Sequence, residues 1–423
     1  MTGGTLIVGA SQAGLQLAAS LRKFGDTEPI TLVGEESHPP YQRPPLSKEY
    51  LTGEADLESL ALRAPSYYAD AGIDLVRGER VTEVSLSASG RPGSGLAGTA
   101  SGRSFAFDRL ALTVGAAPRR LDVPGARLDG ICCLRDRDDA VRVRACLASS
   151  AHVVVVGGGF IGLEAAAVAR GLGKAVTVVE AADRLISRAV APLVSEFYRQ
   201  AHLRRGTRVL LSASVVGFDG AAGRVTAVRL ADGTVLPADL VLVGVGVLPR
   251  TELAEQLGLA CDRGIVVDSQ ARTSDPHVHA AGDCTVQPHP LTGAGTVRLE
   301  SVQNAVAQAT AAAASMLGRS VETRSVPWFW SSQGDLKLQI AGLSTGYDEV
   351  VVRGEPDSER FSVLYYRQGE LLAIDAVNSP ADYMAVRKAL TQGRTVPAGA
   401  AADAGTPLKA LLTARPGVAA ASS

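Results

Sequence analysis

The stretch His152-Val-Val-Val-Val-Gly-Gly-Gly-Phe-Ile-Gly162 decides the fold of this chain. It sets a β-branched strand before three glycines, and the residues after it keep the apolar spacing of a helix as far as Leu172. A strand, a glycine turn and a helix form the fingerprint of a dinucleotide-binding unit, because glycines permit a tight turn and close approach of a pyrophosphate. We predict that a dinucleotide binds here, through Gly157, Gly159, Phe160, Ile161 and Gly162.

The strand after that helix ends at an acid. Ala175 to Val179 is apolar and β-branched, and Glu180 follows it, 23 residues after Gly157. A carboxylate at this place accepts hydrogen bonds from the ribose hydroxyls of NAD and opposes the 2′-phosphate of NADP, since like charges repel. We therefore predict a preference for NADH over NADPH. Arg184 is the kind of residue that holds a 2′-phosphate, but we expect it to pair with a neighbouring acid.

The N-terminus repeats this device 148 residues earlier. The strand Thr5 to Val8 leads into Gly9-Ala-Ser-Gln-Ala-Gly14, and a helical pattern follows. A serine replaces the middle glycine and is small enough to be tolerated. After a second strand, Glu35 stands 26 residues beyond Gly9 as the candidate ribose ligand. The residues predicted to bind this second dinucleotide are Gly9, Ser11, Ala13, Gly14 and Glu35.

Two dinucleotide sites in one chain suggest an enzyme. The simplest pair of such molecules is a flavin, FAD, and a nicotinamide, NADH. The two fingerprints therefore suggest hydride transfer between these cofactors.

The composition excludes several classes of protein. With 46% hydrophobic and 20% charged residues among 423, the chain has the composition of a globular protein and not of a disordered one. Its net charge of −1 gives no global field toward nucleic acid or a membrane surface. The five cysteines show no CxxC spacing, and neither a basic leader nor an apolar run of about 18 residues is present. These features predict a cytoplasmic protein without a membrane segment.

Further motifs match a known family. They are Tyr41-Gln-Arg-Pro-Pro-Leu-Ser-Lys48, Ala280-Ala-Gly-Asp283, Leu299 to Asn304 and Pro327-Trp-Phe-Trp330. Together with the two fingerprints, they resemble the FAD-dependent ferredoxin reductases that serve bacterial cytochrome P450 and Rieske dioxygenase systems. The resemblance implies an α/β fold with two Rossmann-like dinucleotide-binding domains, for FAD and for NAD, plus a C-terminal α+β domain.

The resemblance also implies roles for single residues. By this resemblance, Lys48 would place its ammonium beside the flavin N5, and Glu164 would be its carboxylate partner across the domain cleft. These two residues are therefore the candidate catalytic residues. Asp283 resembles the carboxylate that binds the ribityl chain of FAD, and the helix that starts at Val302 is expected to face the flavin pyrimidine ring. Other positions that match cofactor contacts are Arg43, Val81, Arg135 and Trp330 for FAD and Gly246 for NAD.

A missing motif points to the electron acceptor. Where flavin disulfide reductases carry a CxxxxC pair, this chain reads Pro44-Pro-Leu-Ser-Lys48, so no sulfur there can relay electrons. We predict as acceptor an acidic [2Fe-2S] ferredoxin, which docks on a basic patch and serves a cytochrome P450 or a dioxygenase. The candidate docking residues are Arg63, Arg387, Lys388 and Lys409. The alternatives are a rubredoxin reductase, an NADH oxidase, or a redox-sensing interaction protein that binds FAD and NADH.

The domain organisation follows from two similar strand–glycine–proline joints, at 112–118 and 243–249. They predict a discontinuous FAD-binding domain, 1–114 and 248–323, with the NAD-binding domain, 115–247, inserted. Residues 324–412 form the α+β domain, and 413–423 are a flexible tail. The Gly- and Ser-rich residues 87–103 are expected to form a flexible loop.

Overall fold

The computed structural model describes residues 3–88, 92–321 and 325–414. The chain divides into two compact units. Unit 1 comprises Met1–Gln42, Leu57–Ala117 and Val247–Pro327, and unit 2 comprises Arg43–Asp56, Pro118–Gly246 and Trp328–Ser423. The division into three domains stays a prediction. Most of the predicted tail, 415–423, lies outside the described residues.

The elements are numbered in chain order. The helices are α1 (Gln12–Lys23), α2 (Glu49–Thr52), α3 (Ser66–Asp70), α4 (Arg137–Ser149), α5 (Phe160–Gly171), α6 (Pro192–Arg204), α7 (Glu252–Gln256), α8 (Val302–Met316), α9 (Pro380–Thr391) and α10 (Ala398–Ala401). Short 3₁₀ helices span Pro44–Ser47, Pro356–Ser358 and Leu408–Ala410. None of the helices in the described ranges has the length and apolar character that a membrane crossing needs.

The strands of the first half are β1 (Thr5–Val8), β2 (Ile30–Gly34), β3 (Ile73–Arg77), β4 (Val81–Leu86), β5 (Gly95–Thr99), β6 (Ser104–Phe107), β7 (Arg109–Leu112), β8 (Ala116–Pro118), β9 (Ile131–Cys132), β10 (His152–Val156), β11 (Ala175–Val179) and β12 (Arg208–Leu210). The next strands are β13 (Val215–Ala221), β14 (Arg224–Leu230), β15 (Val235–Pro237), β16 (Leu240–Val243), β17 (Val247–Pro249), β18 (Ile265–Val266), β19 (Val278–Ala280), β20 (Thr285–Pro288) and β21 (Thr296–Val297). The last strands are β22 (Trp328–Gln333), β23 (Leu336–Gly342), β24 (Glu349–Glu355), β25 (Arg360–Arg367), β26 (Glu370–Val377), β27 (Arg394–Thr395) and β28 (Thr413–Ala414).

The centre of unit 1 is a five-stranded parallel sheet in the order β19-β7-β1-β2-β3. All four residues of β1 are buried, because helices cover parallel sheets and their strands are therefore apolar on both faces. Helices α1 and α8 pack against each other through small side chains such as Ala18 and Ala309. Because these strands are parallel, the turns that follow β1, β7 and β19 lie at the same edge of the sheet, which is where ligands bind in such folds.

Unit 2 contains a second sheet of the same design. Its order is β12-β11-β10-β16-β9, and all its pairs are parallel. In both sheets, the strand before the glycine turn lies between the strand that follows its helix and a strand from much later in the chain. This arrangement is the switch point at which dinucleotides bind. The two predicted Rossmann-like sheets are confirmed.

The C-terminal part of unit 2 is an antiparallel sheet in the order β22-β23-β26-β25-β24, with α9 packed against it. This segment therefore combines an antiparallel sheet with a helix, whereas the two Rossmann-like sheets are parallel. The expected α+β architecture is therefore confirmed.

The flexible loop predicted at 87–103 was wrong in part. Residues Gly95–Thr99 form β5, which pairs with β4 and β6 in an antiparallel sheet of unit 1. A Cβ atom on Gly95 would lie 2.0 Å from the carbonyl oxygen of Ser85. This glycine therefore allows close approach of two strands instead of providing flexibility. Residues 89–91 lie outside the described residues.

A buried acid gives the C-terminal sheet a pH-dependent stability. Asp375 on β26 is fully buried and accepts a hydrogen bond from the Tyr365 hydroxyl, which in turn accepts one from the backbone N–H of Ala191 at 3.1 Å. Burial raises the pKa of Asp375 from its ordinary value near 3.8 to about 7. Between these values the folded protein holds a proton that the unfolded chain has lost. The stability from this group is therefore complete below pH 4 and is lost as the pH rises through 7.

We expect an Asp375→Asn variant to lack this slope. Relative to the variant, the wild type should lose roughly 1 kcal/mol of unfolding free energy for each pH unit between 5 and 7. Urea midpoints measured at four pH values from 5 to 8 would show the difference. Asp357→Asn, a change at an exposed acid, is the matched control. Parallel pH curves for wild type and Asp375→Asn would contradict the prediction.

Candidate functional site

The first glycine of each turn stands where no side chain fits. Gly9 has φ of +114° and Gly157 has φ of +110°. A Cβ atom on Gly9 would lie 2.2 Å from the carbonyl oxygen of Thr113, just after β7. On Gly157 it would lie 2.4 Å from the carbonyl oxygen of Gly244, just after β16. Both turns need glycine for the backbone conformation and for the approach of the neighbouring strand end.

The last glycine of each turn lets the helix begin against the strand. A Cβ atom on Gly14 would lie 2.0 Å from the carbonyl oxygen of Gly9, and one on Gly162 would lie 2.3 Å from that of Gly157. The first turns of α1 and α5 therefore pack directly on the preceding turn. Their N-termini present N–H groups and the positive end of the helix dipole to whatever lies above the turn.

The middle position explains why a serine is accepted in the first turn. Gly159 has φ of −81°, and among the described residues, apart from its two chain neighbours, no heavy atom lies within 4 Å of the place where its Cβ would be. Ser11, its counterpart, has φ of −128°, which any residue adopts. The chain itself does not require glycine here. The open space beside Gly159 is a cradle that a larger side chain would fill, and it fits the pyrophosphate of a dinucleotide.

We expect Gly159→Val and Gly162→Ala to have different effects. The Cβ of Gly159→Val enters the cradle with no heavy atom of the described residues within 4 Å, its two chain neighbours aside. The variant should therefore raise the Kd for NADH about tenfold and lower the unfolding free energy by at most about 1 kcal/mol, the cost of valine at a helix N-cap. Gly162→Ala should lower the unfolding free energy by about 1–3 kcal/mol, because its Cβ meets backbone. Equilibrium titration with NADH and urea unfolding measure the two quantities. Equal loss of stability in both variants would contradict this account.

Glu180 lies beside the second glycine turn. Its Oε2 accepts a hydrogen bond from the backbone N–H of Gly158 at 2.6 Å, and its Oε1 accepts one from Ala182 at 2.8 Å. The carboxylate is thus held at the end of β11, at the position from which it is predicted to bind a ribose.

Arg184 pairs with no acid in the part of the chain that the structure describes, so that prediction was wrong. Its guanidinium donates to the carbonyl oxygens of Ser187 at 2.5 Å and Val190 at 2.8 Å, and to the hydroxyl of Ser195 at 2.9 Å. These bonds hold the loop between β11 and α6, in which Ile186 has φ of +51°. The loop carbonyls take the place that an acid was expected to fill.

Glu35 lies beside the first glycine turn. A Cβ atom on Gly34, the preceding residue, would lie 2.6 Å from the Cβ of Ala10 in that turn. Glu35 Oε1 lies 2.5 Å from Arg250 Nη1, and its Oε2 lies 4.0 Å from Arg80 Nε. Sequence reasoning missed Arg250, because no motif connects residues so distant in the chain.

The turn that carries Asp283 meets two helix N-termini in unit 1. A Cβ atom on Gly282 would lie 3.2 Å from the Cβ of Ala13 in α1 and 3.8 Å from that of Ala305 in α8. The turn therefore packs against the first turns of both helices. The structure brings the first glycine turn, Asp283 and the start of α8 at Val302 to one place.

A buried polar network fixes this junction. Gln308 Oε1 accepts hydrogen bonds from the backbone N–H of Gly282 at 2.8 Å and from Thr285 Oγ1 at 3.0 Å, and Gln308 Nε2 donates to Gln287 Oε1 at 2.8 Å. Gln303, in the first turn of α8, is different: its Oε1 is buried and has no hydrogen-bond partner within the described residues. A buried acceptor of this kind fits an N–H donor of a bound ligand, such as that of a flavin pyrimidine ring.

Lys48 and Glu164 form a buried ion pair. Lys48 Nζ lies 2.7 Å from Glu164 Oε2, and the two side chains are 13% and 3% exposed. Both belong to unit 2, because the stretch Arg43–Asp56 joins that unit. Ser47 Oγ donates to Oε2 of the same carboxylate at 2.6 Å, and Ser331 Oγ donates to Oε1 at 2.7 Å. Hydrogen bonds to both oxygens offset the cost of burying this charge.

Aromatic side chains connect α5 with β22. The ring of Phe160, the first residue of α5, lies 4.6 Å from the ring of Phe329. The centre of the Trp330 ring lies 5.6 Å from the centre of the Trp328 ring on the same strand. The helix predicted to bind NAD thus packs against the strand that carries Trp330.

The other predicted cofactor residues are distributed over both units. Arg43 donates to the carbonyl oxygen of Arg135 at 2.8 Å in unit 2, Val81 is buried at the start of β4 in unit 1, and Gly246 has φ of +102° in unit 2. The predicted FAD residues of unit 1 are Gly9, Ser11, Ala13, Gly14, Glu35, Val81, Asp283 and Val302, and those of unit 2 are Arg43, Lys48, Arg135 and Trp330. The predicted NAD residues all lie in unit 2. Their individual roles stay predictions.

The cysteines are free thiols. Burial raises the pKa of Cys132 to about 12 and that of Cys284, next to Asp283, to about 12, so both are protonated at neutral pH. A protonated thiol does not take part in disulfide exchange. Within the described residues, no three His, Cys, Asp or Glu side chains gather as a metal site.

The predicted docking residues include two arginines on aromatic rings. The guanidinium of Arg387 lies 4.4 Å from the centre of the Trp328 ring, and that of Arg63 lies 5.2 Å from the centre of the Tyr67 ring. Lys388 on α9 and Lys409 on the 3₁₀ helix Leu408–Ala410 are exposed, and these two elements pack together.

Known proteins resemble this chain over nearly its whole length. Residues 4–309 match the family described as pyridine nucleotide-disulphide oxidoreductase, and residues 328–412 match the family described as reductase C-terminal. The chain is 45% identical to rhodocoxin reductase of Rhodococcus erythropolis over 404 residues, which are 96% of this chain and 93% of that protein. It is 42% identical, with a TM-score of 0.91, to the crystal structure of the ferredoxin reductase for the CYP199A2 system from Rhodopseudomonas palustris, over 97% of this chain and 99% of that one. The putidaredoxin reductase of a covalent complex with putidaredoxin is 38% identical, with a TM-score of 0.91, over 97% and 98% of the chains. The chain belongs to the pyridine nucleotide-disulphide oxidoreductase family.

Proposed function

We propose that this protein is an NADH-dependent flavoprotein that reduces a [2Fe-2S] ferredoxin. It is an oxidoreductase, and its family and its ferredoxin reductase homologues use FAD and NAD(H). The observation that carries the proposal is the presence of two matching glycine turns, each at the switch point of its own parallel sheet. The buried pair of Lys48 and Glu164 adds a candidate catalytic group.

The residues of the chain fit both cofactors. The turn Gly9 to Gly14, Glu35, Asp283 and the start of α8 would hold FAD, and the turn at Gly157 with Glu180 would hold NADH. When bound, the flavin supplies the chemistry that converts a two-electron hydride into single electrons. The N-terminus of α8 would stabilise negative charge with its N–H groups. Lys48 Nζ would present an ammonium at a fixed position as a hydrogen-bond donor, held in place by Glu164.

Two observations support an iron–sulfur partner, one on the cysteines of the chain and one on its relatives. All five cysteines are free thiols, and a thiol, unlike a disulfide, has no S–S bond that electrons from a flavin could reduce. Relatives named as ferredoxin reductases, one of them solved in complex with putidaredoxin, support an iron–sulfur ferredoxin that serves a cytochrome P450 or a dioxygenase. The ferredoxin would be acidic and dock on Arg387, Lys388 and Lys409, or on Arg63. The cytoplasmic location stays a prediction.

The test is steady-state reduction of cytochrome c by NADH, with and without an added [2Fe-2S] ferredoxin, and with NADPH in parallel. We expect turnover that depends on NADH and is stimulated by ferredoxin, with a KM for ferredoxin that rises with ionic strength. Reduction of rubredoxin alone, or of oxygen alone, would replace ferredoxin as the acceptor. Reduction of the flavin without transfer to any carrier would overturn the proposal and favour a redox-sensing protein.

A further inference from the structure

Glu164 is held by a chain of buried polar side chains that reaches His202. Its Oε2 accepts from Ser47 and Lys48, whereas Ser331 is the partner of Oε1 within the described residues. Ser331 is 1% exposed, and its Oγ also accepts a hydrogen bond from Gln333 Nε2 at 3.3 Å. Gln333 Oε1 lies 2.9 Å from His202 Nε2 on α6.

The donor and the acceptor of each hydrogen bond between Glu164 and His202 follow from the single hydroxyl proton of Ser331. Ser331 has a single hydroxyl proton, and the carboxylate can only accept, so Ser331 donates to Glu164. Ser331 can therefore only accept from Gln333, which fixes the amide with its nitrogen toward the serine. The amide oxygen then faces His202, so His202 donates from Nε2. All donors point toward Glu164.

The neighbourhood supports this direction. His202 is 3% exposed, and burial lowers its pKa, so the ring is neutral near pH 7 and carries one proton. Gln333 is 1% exposed and lies two residues after Ser331 on β22, so both side chains are on the same face of the strand. Hydrogen bonds aligned in one direction polarise one another, which strengthens the contact at the end of the chain.

We propose that Ser331, oriented by Gln333 and His202, is a positioning residue that fixes the Glu164 carboxylate and, through it, the Lys48 ammonium. The proposal rests on the proposed function, because it assigns the ion pair to the site of hydride transfer. With Oε1 bound to Ser331, the carboxylate is kept from rotating away, and Oε2 stays directed at Lys48. A displacement of about 1 Å of such a group is enough to cost about 100-fold in rate.

The experiment uses the holoenzyme and the variants Ser331→Ala, Ser331→Thr, Gln333→Leu, Glu164→Gln and Ser331→Ala/Glu164→Gln. Ser332→Ala is the matched control, since it makes the same change one residue along the strand, on a side chain that is not in the network. Stopped-flow reduction by NADH gives the limiting rate and the Kd. Redox titration of the bound flavin gives a midpoint potential, which does not depend on activity.

We expect Ser331→Ala to lower the limiting rate about tenfold, with the Kd for NADH changed less than twofold and a midpoint potential displaced from that of Ser332→Ala. Gln333→Leu should lower the rate about threefold. Ser331→Thr, which keeps the hydroxyl, should recover most of the rate. In the Glu164→Gln background, Ser331→Ala should have almost no further effect, because the carboxylate on which it acts is gone.

Additive effects of the two substitutions, or an unchanged potential and rate in Ser331→Ala, would overturn the proposal. These measurements involve NADH and the flavin but no carrier protein. Failure of ferredoxin reduction in the wild type would therefore count against the proposed function alone.

Discussion

A Lys48→Met variant is expected to reduce its flavin about 100-fold more slowly than the wild type, while it keeps most of its FAD. Lys48 Nζ lies 2.7 Å from Glu164 Oε2 and donates to the carbonyl oxygen of Pro44 at 3.0 Å, so the charge is held at one place. Loss of a positioned donor at a reacting centre costs about 10²–10³ in rate. Methionine conserves the length of the side chain and removes the charge.

The same substitution should also lower stability. Glu164 is 3% exposed, and without Lys48 its carboxylate is buried with the hydroxyl partners Ser47 and Ser331 and no counter-charge among the described residues. Breaking a buried pair from one side costs about 3–5 kcal/mol. The double variant Lys48→Met/Glu164→Gln should regain part of this loss, because no charge remains buried.

Stopped-flow reduction by NADH, FAD content from absorbance and urea midpoints separate these effects. Lys337→Met, at an exposed lysine of β23, is the control for loss of one positive charge. If only the FAD content of Lys48→Met falls, Lys48 is a structural residue and not a catalytic one.

The second large effect is expected at Glu180. Glu180→Arg should change the ratio of kcat/KM for NADH and NADPH by at least about 100-fold in favour of NADPH. The carboxylate opposes a 2′-phosphate by repulsion, whereas a guanidinium binds it with charge-assisted hydrogen bonds. Arg184 does not already supply this cation, because its donors are bound to Ser187, Val190 and Ser195.

Two further variants divide this effect into its parts. Glu180→Gln removes the charge and keeps an acceptor for the N–H of Gly158, so it should shift the ratio by about tenfold. Asp183→Asn makes the same change of charge at an exposed acid nearby and should leave the ratio within twofold. An unchanged ratio in both Glu180 variants would remove this residue from the specificity of the enzyme.

The features that the sequence reveals are the local ones. Gly9 and Gly14 lie in one turn, and so do Gly157 and Gly162. Their spacing in the sequence therefore predicts the close contact between the first and the last glycine that the structure shows. The ion pair of Lys48 and Glu164 was found only through resemblance to a family, because neither residue is distinctive by itself.

The errors and omissions concern contacts between distant residues. Arg184 is predicted to pair with an acid, but its guanidinium instead donates hydrogen bonds to carbonyl oxygens of its own loop. The glycines of β5 are predicted to form a flexible loop, but a side chain at Gly95 would clash with the carbonyl oxygen of Ser85 in the neighbouring strand. Arg250 and Ser331 contact their carboxylates from remote positions in the chain, and no periodicity or spacing predicts such partners.

The composition of unit 2 from three stretches affects how this protein can recombine with its relatives. A crossover that exchanges only Pro118–Gly246 would bring in a foreign residue at position 164, while the native Lys48 and Ser331 would remain on either side of the graft. The resulting protein would combine the native Lys48 and Ser331 with whichever residue the other parent carries at position 164. A gene shuffled for nucleotide preference should therefore carry Arg43–Asp56 and Trp328–Gln333 from the same parent.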